Sequence, residues 1–204
     1  MLPAPWSHQT EGHNLAVNTD GYLLAHDMAV GKSRTAVMIS ESKEAMKIIV
    51  ASPHSVCQGW PNQFKTWGKL NYKFLTLDSK RDSVKKKAAK LEKFLHLCNT
   101  NRYPFVVIVN HESIWRPPLG PNYDKDKMVD RGLVMKQEWD MAIIDESHRI
   151  KAPGSQVSWF CKYLRHKAKM CLALTGTPMP NNFMDAYGQF RFINPKVFGT
   201  SFRS

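Results

Sequence analysis

The run Phe105-Val106-Val107-Ile108-Val109 is apolar at every position and is the clearest indicator of the fold. A strand with one solvated face alternates apolar and polar residues, so an unbroken apolar strand predicts burial on both faces, as in a parallel sheet. Similar short runs recur along the chain. Together they predict six strands, at residues 22–26, 47–52, 73–77, 105–110, 141–145 and 170–175.

Segments with helical spacing lie between these runs and predict helices at residues 33–42, 55–67, 83–97 and 155–165. Strands that alternate with helices indicate the α/β class. We therefore expect a three-layer α/β sandwich with a mostly parallel central sheet. The length of 204 residues fits a single domain over 1–204. Residues 116–138 begin with several prolines and a glycine, and they predict a long loop.

The predicted helix at 83–97 is rich in lysine. Its apolar residues recur at helical spacing and should face the core, and they are Val84, Ala88, Leu91, Leu95 and Cys98. Its lysines should lie mostly on the other side, and they are Lys85, Lys86, Lys87, Lys90 and Lys93. A solvated helix face and a dedicated DNA contact both fit this pattern.

The chain is strongly basic, with a formal net charge of +12. Such a charge favours a polyanionic partner, most simply nucleic acid, although a basic surface without a specific partner also fits. The four cysteines lack the C-x-x-C spacing of zinc sites and fit a reducing compartment. The N-terminus does not resemble a signal peptide, and no apolar run is long enough to span a bilayer, so we expect a protein of the cytoplasm, or of the nucleoid or host-cell interior, that is not secreted.

The segment His26-Asp27-Met28-Ala29-Val30-Gly31-Lys32-Ser33 separates a predicted strand from a predicted helix. Such a turn aims backbone N–H groups at a phosphate, at the positive end of the helix dipole. Lys32 would reach the β- and γ-phosphates and Ser33 would ligate magnesium, whereas a side chain at Gly31 would obstruct the turn. The match to a phosphate loop is incomplete because His26 occupies the first glycine position. An ordinary turn with a surface lysine is the alternative.

Asp145 and Glu146 end the predicted strand at 141–145. Ligands of parallel sheets bind beyond the carboxyl ends of the strands. One carboxylate can hold magnesium, and its neighbour can orient and deprotonate an attacking water. A pair of solvated acids at a strand end is the alternative. With the phosphate loop, these acids predict a site for a nucleoside triphosphate and Mg²⁺.

These motifs and several others, in this order, resemble helicase superfamily two, and within it the Swi/Snf-type translocases of double-stranded DNA. Asp145-Glu146-Ser147-His148 resembles the Asp-Glu-Ala-His box of that family. The other segments that carry the resemblance are 5–9, 26–33, 49–53, 109–112 and 172–178. The last of these, Leu-Ala-Leu-Thr-Gly-Thr-Pro, resembles motif III. The resemblance implies the N-terminal RecA-like lobe of such a motor, of the P-loop NTPase class.

The resemblance also implies residue roles, with ATP and Mg²⁺ as cofactors. The implied catalytic residues are Lys32, Asp145, Glu146 and His148. The implied ATP-binding residues are Gln9, which would read adenine, and Ala29, Val30, Gly31, Lys32, Ser33 and Arg34. Magnesium would be held by Ser33 and Asp145. Thr175, Gly176 and Thr177 would couple ATP state to DNA grip. The implied nucleic-acid contacts are Ser52, Pro53, His54, Asn110 and His111.

In this family a second RecA-like lobe supplies arginines to the transferring phosphoryl group, so we expect weak ATP hydrolysis by one lobe alone. Ala29 stands where the family usually has glycine, and its Cβ would tighten or weaken nucleotide binding. A catalytically silent nucleotide-binding or scaffold module, and the lobe of an RNA helicase, remain alternatives to a lobe that translocates on double-stranded DNA without sequence preference.

Overall fold

A computed structural model describes residues 3–78, 82–124 and 127–199 of the chain. Its central feature is a six-stranded sheet with the strand order β1-β8-β7-β2-β4-β3, in which every neighbouring pair is parallel. The strands are β1 (Gly21–Ala25), β2 (Lys47–Ser52), β3 (Lys73–Leu77), β4 (Phe105–Asn110), β7 (Trp139–Asp145) and β8 (Ala168–Thr175). All six predicted strands are confirmed, three of them with the predicted bounds.

Helices cover both faces of the sheet. They are α1 (Ser7–Ala16), α2 (Lys32–Ser42), α3 (Trp60–Trp67), α4 (Val84–Thr100), α5 (His111–Ile114), α6 (Gly132–Lys136), α7 (Gln156–Leu164) and α8 (Ala186–Ile193). Along β2, Ile48 and Val50 pack into one apolar cluster with α1, α2 and α3, whereas Ile49 and Ala51 pack into another with α4, α6, α7 and α8. Two buried faces make the strands apolar throughout, and the predicted three-layer α/β sandwich is confirmed.

The structure corrects the prediction of a loop at 116–138. Residues Asn122–Asp124 (β5) and Lys127–Asp130 (β6) pair as a two-stranded antiparallel sheet, and α6 follows β6. Val134 and Met135 of α6 are buried in the core, and Trp139 Nε1 donates a hydrogen bond to Val134 O at 2.9 Å. This packing holds the segment in place, whereas its prolines and glycines had indicated only turns.

The structure also corrects the placement of Lys87. The apolar residues of α4 face the core as predicted, but Lys87 is buried with them and is only 4% exposed. It lies four residues before Leu91, at the border of the apolar stripe, so spacing alone leaves its side undecided. Across the described residues, we find no helix both long and apolar enough to cross a bilayer.

Candidate functional site

The predicted phosphate loop, the paired carboxylates and the threonine segment all lie at the carboxyl edge of the sheet. Ala25, the last residue of β1, pairs with Thr175 at the end of β8, and Leu174 pairs with Asp145 at the end of β7. Two strand spacings of about 4.8 Å separate β1 from β7, so the ends of these strands lie about 10 Å apart, and Lys32 begins α2 beyond the end of β1. A triphosphate with its metal ion can bridge that distance between two side chains.

The phosphate loop turns through two residues with left-handed backbone. Ala29 has φ 62° and Gly31 has φ 83°, and α2 begins directly after Gly31. The positive φ favours glycine at position 31, and a Cβ there would also lie 2.3 Å from Gln9 Nε2 and would displace that amide. Ala29 adopts the same region with a Cβ, at a cost of about 1–2 kcal/mol.

Lys32 is held inside the loop by neutral partners. Its Nζ donates to His26 O at 2.9 Å and to Asp27 O at 2.8 Å. Among the residues that the structure describes, these carbonyls are its hydrogen-bond partners, and no carboxylate lies within ion-pair distance. The ammonium charge is therefore free to interact with an anion at the N-terminus of α2, where Ser33 sits in the first helical turn.

Gln9 supports the loop from below. It is 2% exposed, its Nε2 donates to Val30 O at 3.1 Å, and its Oε1 accepts from Trp6 N at 3.0 Å. The His8 ring nitrogen Nε2 lies 2.9 Å from the same Val30 carbonyl, a contact that motif comparison missed. The amide is thus bound to the protein's own backbone, and its role with adenine stays a prediction.

His26 and Arg34 contact the surroundings of the loop instead of pointing into it. The His26 ring packs edge-on against His8, with ring centroids 5.4 Å apart, and burial lowers the pKa of His26. Arg34 stacks over Trp67 at 4.1 Å and donates to the carbonyls of Pro3 and Ala4. Arg34 therefore fixes the N-terminal segment, while its predicted contact with ATP stays untested.

Asp145 is 7% exposed, and its carboxylate accepts three hydrogen bonds. Its Oδ2 accepts from Ser52 Oγ and from Trp60 Nε1, both at 3.1 Å, and its Oδ1 accepts from the backbone N–H of Glu146 at 3.0 Å. Burial raises the pKa of Asp145, and the hydrogen bonds from Ser52 and Trp60 act in the opposite direction. These donors fix the carboxylate in one orientation, as is typical of metal ligands.

His148 joins Glu146 to the threonine segment. Its Nδ1 lies 3.2 Å from Glu146 Oε2 and 3.2 Å from Thr175 Oγ1. Thr177 Oγ1 lies 3.4 Å from the same nitrogen, and its backbone N–H donates to Thr175 Oγ1 at 3.0 Å. The structure therefore brings together the four residues predicted for water activation and coupling.

Two further observations link these parts. A Cβ on Gly176 would lie 3.0 Å from Met28 Cγ, so the threonine segment touches the phosphate loop directly. Glu146 Oε2 is buried and accepts no hydrogen bond from the described residues, although His148 Nδ1 lies 3.2 Å away. An acceptor in that state fits a carboxylate that orients a water molecule.

The residues at this edge fit ATP with Mg²⁺. In the described ranges no three His, Cys, Asp or Glu residues cluster closely enough to hold a metal ion by themselves. Mg²⁺ needs no such cluster, because it binds through one or two protein oxygens together with phosphate oxygens and water. Ser33 and Asp145 can supply those oxygens.

The predicted nucleic-acid residues divide into two groups. Three of them, Pro53, His54 and Asn110, line a surface groove of about 480 Å³, together with Ser55, Glu112 and Arg149. Glu112 belongs to the segment Asn110-His111-Glu112 that the resemblance places at nucleic acid, whereas Ser55 and Arg149 were not predicted as contacts. We call this the backbone groove.

Ser52 and His111 lie beneath the backbone groove. Ser52 is fully buried and bonded to Asp145, and the His111 ring nitrogen Nε2 lies 2.8 Å from Asp145 O. Burial lowers the pKa of His111 to about 4, so the ring is neutral near neutral pH. Their side chains thus support Asp145 and are not open to a phosphate, which corrects the prediction of side-chain contacts with nucleic acid.

Lys87 supports the groove from α4. Its Nζ donates to Asn110 Oδ1 at 3.2 Å and to Ser113 Oγ at 2.8 Å. A larger cavity of about 620 Å³ lies between α7 and the segment after α5, and none of the predicted site residues lines it. The predicted chemistry therefore concentrates at the carboxyl edge and in the backbone groove.

Comparison with known proteins agrees with this arrangement. The SNF2-related domain family matches residues 8–203. A RAD54-like DNA repair and recombination protein of Drosophila willistoni is 25% identical over 195 residues, which cover 90% of this chain and 22% of the relative. An ATRX homolog of Caenorhabditis elegans, a transcriptional regulator, is 27% identical over 201 residues, covering 88% and 15%. The chain thus spans about a fifth of the length of these relatives or less.

The solved SWI2/SNF2 ATPase core of Sulfolobus solfataricus, in complex with dsDNA, has the same fold. It aligns with a TM-score of 0.68 at 22% identity, over 98% of this chain and 39% of that one. The family match covers nearly the whole sequence, and the all-parallel sheet with its motif-bearing edge agrees with it. The chain belongs to the SNF2-related domain family, and it has the RecA-like fold of a Swi/Snf-type N-terminal lobe.

Proposed function

We propose that this lobe binds ATP with Mg²⁺ and, paired with a second RecA-like lobe, hydrolyses it to move along double-stranded DNA. The observation that carries the proposal is the meeting of three motifs at one sheet edge. Within the described ranges, Lys32 has only neutral hydrogen-bond partners there, Asp145 is oriented by three donors, and the buried Oε2 of Glu146 lies 3.2 Å from His148 Nδ1 without accepting a hydrogen bond. These arrangements support the roles proposed for the three residues.

The chemistry divides among this chain's own residues. Lys32 would leave the carbonyls of His26 and Asp27 and bind the phosphate oxygens, with the N–H groups at the start of α2 beside it. Asp145 and Ser33 would hold Mg²⁺, which neutralises developing charge on the phosphates. Glu146 would orient the attacking water and accept its proton.

His148 would transmit changes in the bound nucleotide to the threonine segment that is proposed to couple ATP state to DNA grip. The ring nitrogen Nδ1 lies within 3.4 Å of Glu146 and of both threonines, so a change at the phosphate would reach Thr175 and Thr177 through one side chain. Gly176 packs against Met28 of the phosphate loop, which gives a second route. These contacts support the coupling role of the threonine segment.

Double-stranded DNA is the proposed track. The net charge of +12 and the backbone groove suit a polyanion, and a similar solved ATPase core is described in complex with dsDNA. Binding to phosphates carries no sequence information and weakens as salt displaces the protein. We therefore expect sequence-tolerant and salt-sensitive binding, with RNA as the competing track to be compared.

One observation favours a catalytically silent module as a second candidate. Ala29 keeps a strained backbone with φ 62° inside the phosphate loop, at a position where a glycine would carry no strain. A loop that only holds a nucleotide, or none, would tolerate such a substitution. The two candidates differ in whether Mg²⁺-dependent ATP binding requires Lys32.

Calorimetric titration of ATP, with and without Mg²⁺, tests the proposal. Lys32→Ala should weaken Mg²⁺-dependent binding by about 10–100-fold, the value of a charge-assisted hydrogen bond of 1.5–3 kcal/mol. Lys43→Ala, at the C-terminal end of α2, is the matched control and should bind like the wild type. Equal affinity of wild type and Lys32→Ala, or no dependence on Mg²⁺, would reject the nucleotide site proposed here.

A further inference from the structure

A carboxylate stands in the groove that is proposed to hold a phosphate backbone. Glu112 Oε1 lies 3.2 Å from Arg149 NH1, and both side chains are about half exposed, at 52% and 46%. Both line the backbone groove. A negative charge in this groove opposes the binding of a nucleic-acid phosphate.

Glu112 is held in place by a chain of side chains from the core. Its Oε2 accepts from Asn110 Nδ2 at 2.8 Å, and Asn110 Oδ1 in turn accepts from the buried Lys87 Nζ. Both carboxylate oxygens therefore have fixed partners. The amide of Asn110 cannot rotate without losing its bond to Lys87, so Glu112 is kept facing Arg149.

Arg149 is the cation of the groove with the geometry for phosphate. A guanidinium binds phosphate through two parallel N–H groups, and it is weakly hydrated compared with an ammonium. An exposed pair such as Glu112–Arg149 contributes about 0–1 kcal/mol, whereas a backbone phosphate adds the release of condensed counterions. A phosphate can therefore displace Glu112 from Arg149.

Arg149 is also joined to the nucleotide side. It lies with His148 in the short helical turn Ser147–Ile150, and its backbone N–H donates to Glu146 O at 3.0 Å. A shift of Arg149 from a carboxylate to a phosphate would act on the turn that carries His148. The Glu112–Arg149 pair thus links the two proposed ligand sites.

We propose that Arg149 binds the phosphate backbone of nucleic acid and that Glu112 is its built-in competitor, released when nucleic acid enters the groove. The inference rests on the proposed nucleic-acid function and adds to it a phosphate-binding residue and a gate. Glu112 lowers affinity for isolated or weakly held anions. A continuous backbone, with several phosphates in contact at once, overcomes it.

Fluorescence anisotropy with a labelled random-sequence DNA duplex, across a series of salt concentrations, tests the gate. Glu112→Gln should tighten binding by about 3–10-fold at low salt, because Asn110 keeps an acceptor while the competing charge is lost. Arg149→Gln should weaken binding by about tenfold and reduce the salt slope by about one. In Arg149→Gln, the further change Glu112→Gln should have a much smaller effect than in the wild type.

Glu138→Gln is the matched control, since Glu138 is exposed and paired with Lys167 and directly precedes β7, at the opposite edge of the sheet. It should leave duplex binding unchanged. Arg149→Lys keeps the positive charge but lacks the two parallel N–H groups of the guanidinium. Its duplex affinity should lie between those of the wild type and Arg149→Gln, which provides a second test if Arg149→Gln folds poorly. The gate would be overturned if Glu112→Gln had the duplex affinity of the wild type. It would also be overturned if Glu112→Gln tightened duplex binding equally in the wild type and in Arg149→Gln. Failure of the wild type to bind any duplex would instead reject the proposed function together with it.

Discussion

The hydroxyl of Ser52 donates a hydrogen bond to Asp145 Oδ2 across 3.1 Å, from the end of β2 to the end of β7. Trp60 Nε1 donates to the same oxygen and lies 3.3 Å from Ser52 Oγ. Ser52 therefore belongs to the nucleotide side of the site, while the next two residues, Pro53 and His54, line the backbone groove. Adjacent residues of one motif thus lie at different proposed sites, with Ser52 bonded to Asp145 and with Pro53 and His54 in the groove.

This division predicts that substitutions at Ser52 and at His54 weaken the binding of different ligands. Ser52→Ala should weaken Mg²⁺-dependent ATP binding by about tenfold, because loss of a partner to a metal ligand has effects of that size, and it should leave duplex affinity unchanged. His54→Ala should weaken duplex binding and leave ATP binding unchanged. Calorimetry and anisotropy on both variants check the prediction. A Ser52→Ala variant that loses duplex affinity and keeps its ATP affinity would contradict the prediction.

The strained turn at Ala29 predicts a stabilising substitution. Ala29→Gly removes the cost of a Cβ at φ 62°, about 1–2 kcal/mol, and adds about 0.5–1 kcal/mol of chain entropy to lose on folding. We expect a net gain of about 0.5–1 kcal/mol in the free energy of unfolding, measured by denaturant titration. Ala36→Gly, in the middle of α2, should destabilise the protein by about 1 kcal/mol or more. The same sign for both variants would argue against strain at Ala29.

Lys87 and Lys85 lie two residues apart on α4 and should behave differently. Lys87→Met removes the donor that fixes Asn110, so duplex binding should weaken several-fold while its salt slope stays constant, because Lys87 itself contacts no phosphate. Lys85 is exposed, and Lys85→Met should bind like the wild type if the outer side of α4 is merely solvated. A lowered salt slope in Lys85→Met would instead indicate a direct DNA contact by this helix.

His111 predicts a dependence of stability on pH. In the unfolded chain the imidazole binds a proton near pH 6.5, whereas burial lowers its pKa in the folded protein to about 4. As the pH falls from about 6.5 to about 4, the unfolded state gains a proton that the folded state lacks, so the free energy of unfolding decreases by up to about 3 kcal/mol. Below about pH 4 both states are protonated and the loss is complete.

Denaturant titrations of wild type and His111→Gln between pH 4 and 7 check this prediction. Glutamine can keep a donor to Asp145 O without a titrating ring. The stability difference between the two proteins should change with pH in favour of the variant at low pH. Parallel curves for the two proteins would show that His111 does not titrate as described.

The predictable parts of this fold are those in which one physical requirement dictates the residue type. Burial on both faces requires an apolar run such as Phe105–Val109, and such runs show where the strands end. Because the strands are parallel, the segments that follow β1 and β7, with Lys32 and Asp145, lie at one edge of the sheet. The support of Asp145 by Ser52, Trp60 and His111 is different, because it depends on which side chains meet across three elements. The spacing of residues along the chain does not reveal these contacts between side chains of different elements.

Lys87 and α6 were misjudged for a related reason. A lysine at the border of an apolar stripe is buried only if polar partners meet it, and Asn110 and Ser113 come from a different element. In α6, the two buried apolar side chains, Val134 and Met135, are adjacent in sequence and too few to show helical periodicity. In both cases tertiary contacts decide what the local pattern leaves open.

The most direct test of the account is a double-mutant cycle on Lys32 and Asp145 for Mg²⁺-dependent ATP affinity, measured by calorimetry. If both side chains hold one triphosphate–magnesium unit, Lys32→Ala and Asp145→Asn should each weaken binding by at least tenfold, and the double variant should lose clearly less than the product of the two effects. Independent, multiplicative losses, or an Asp145→Asn variant that binds Mg²⁺-ATP like the wild type, would contradict a shared ligand at this edge of the sheet.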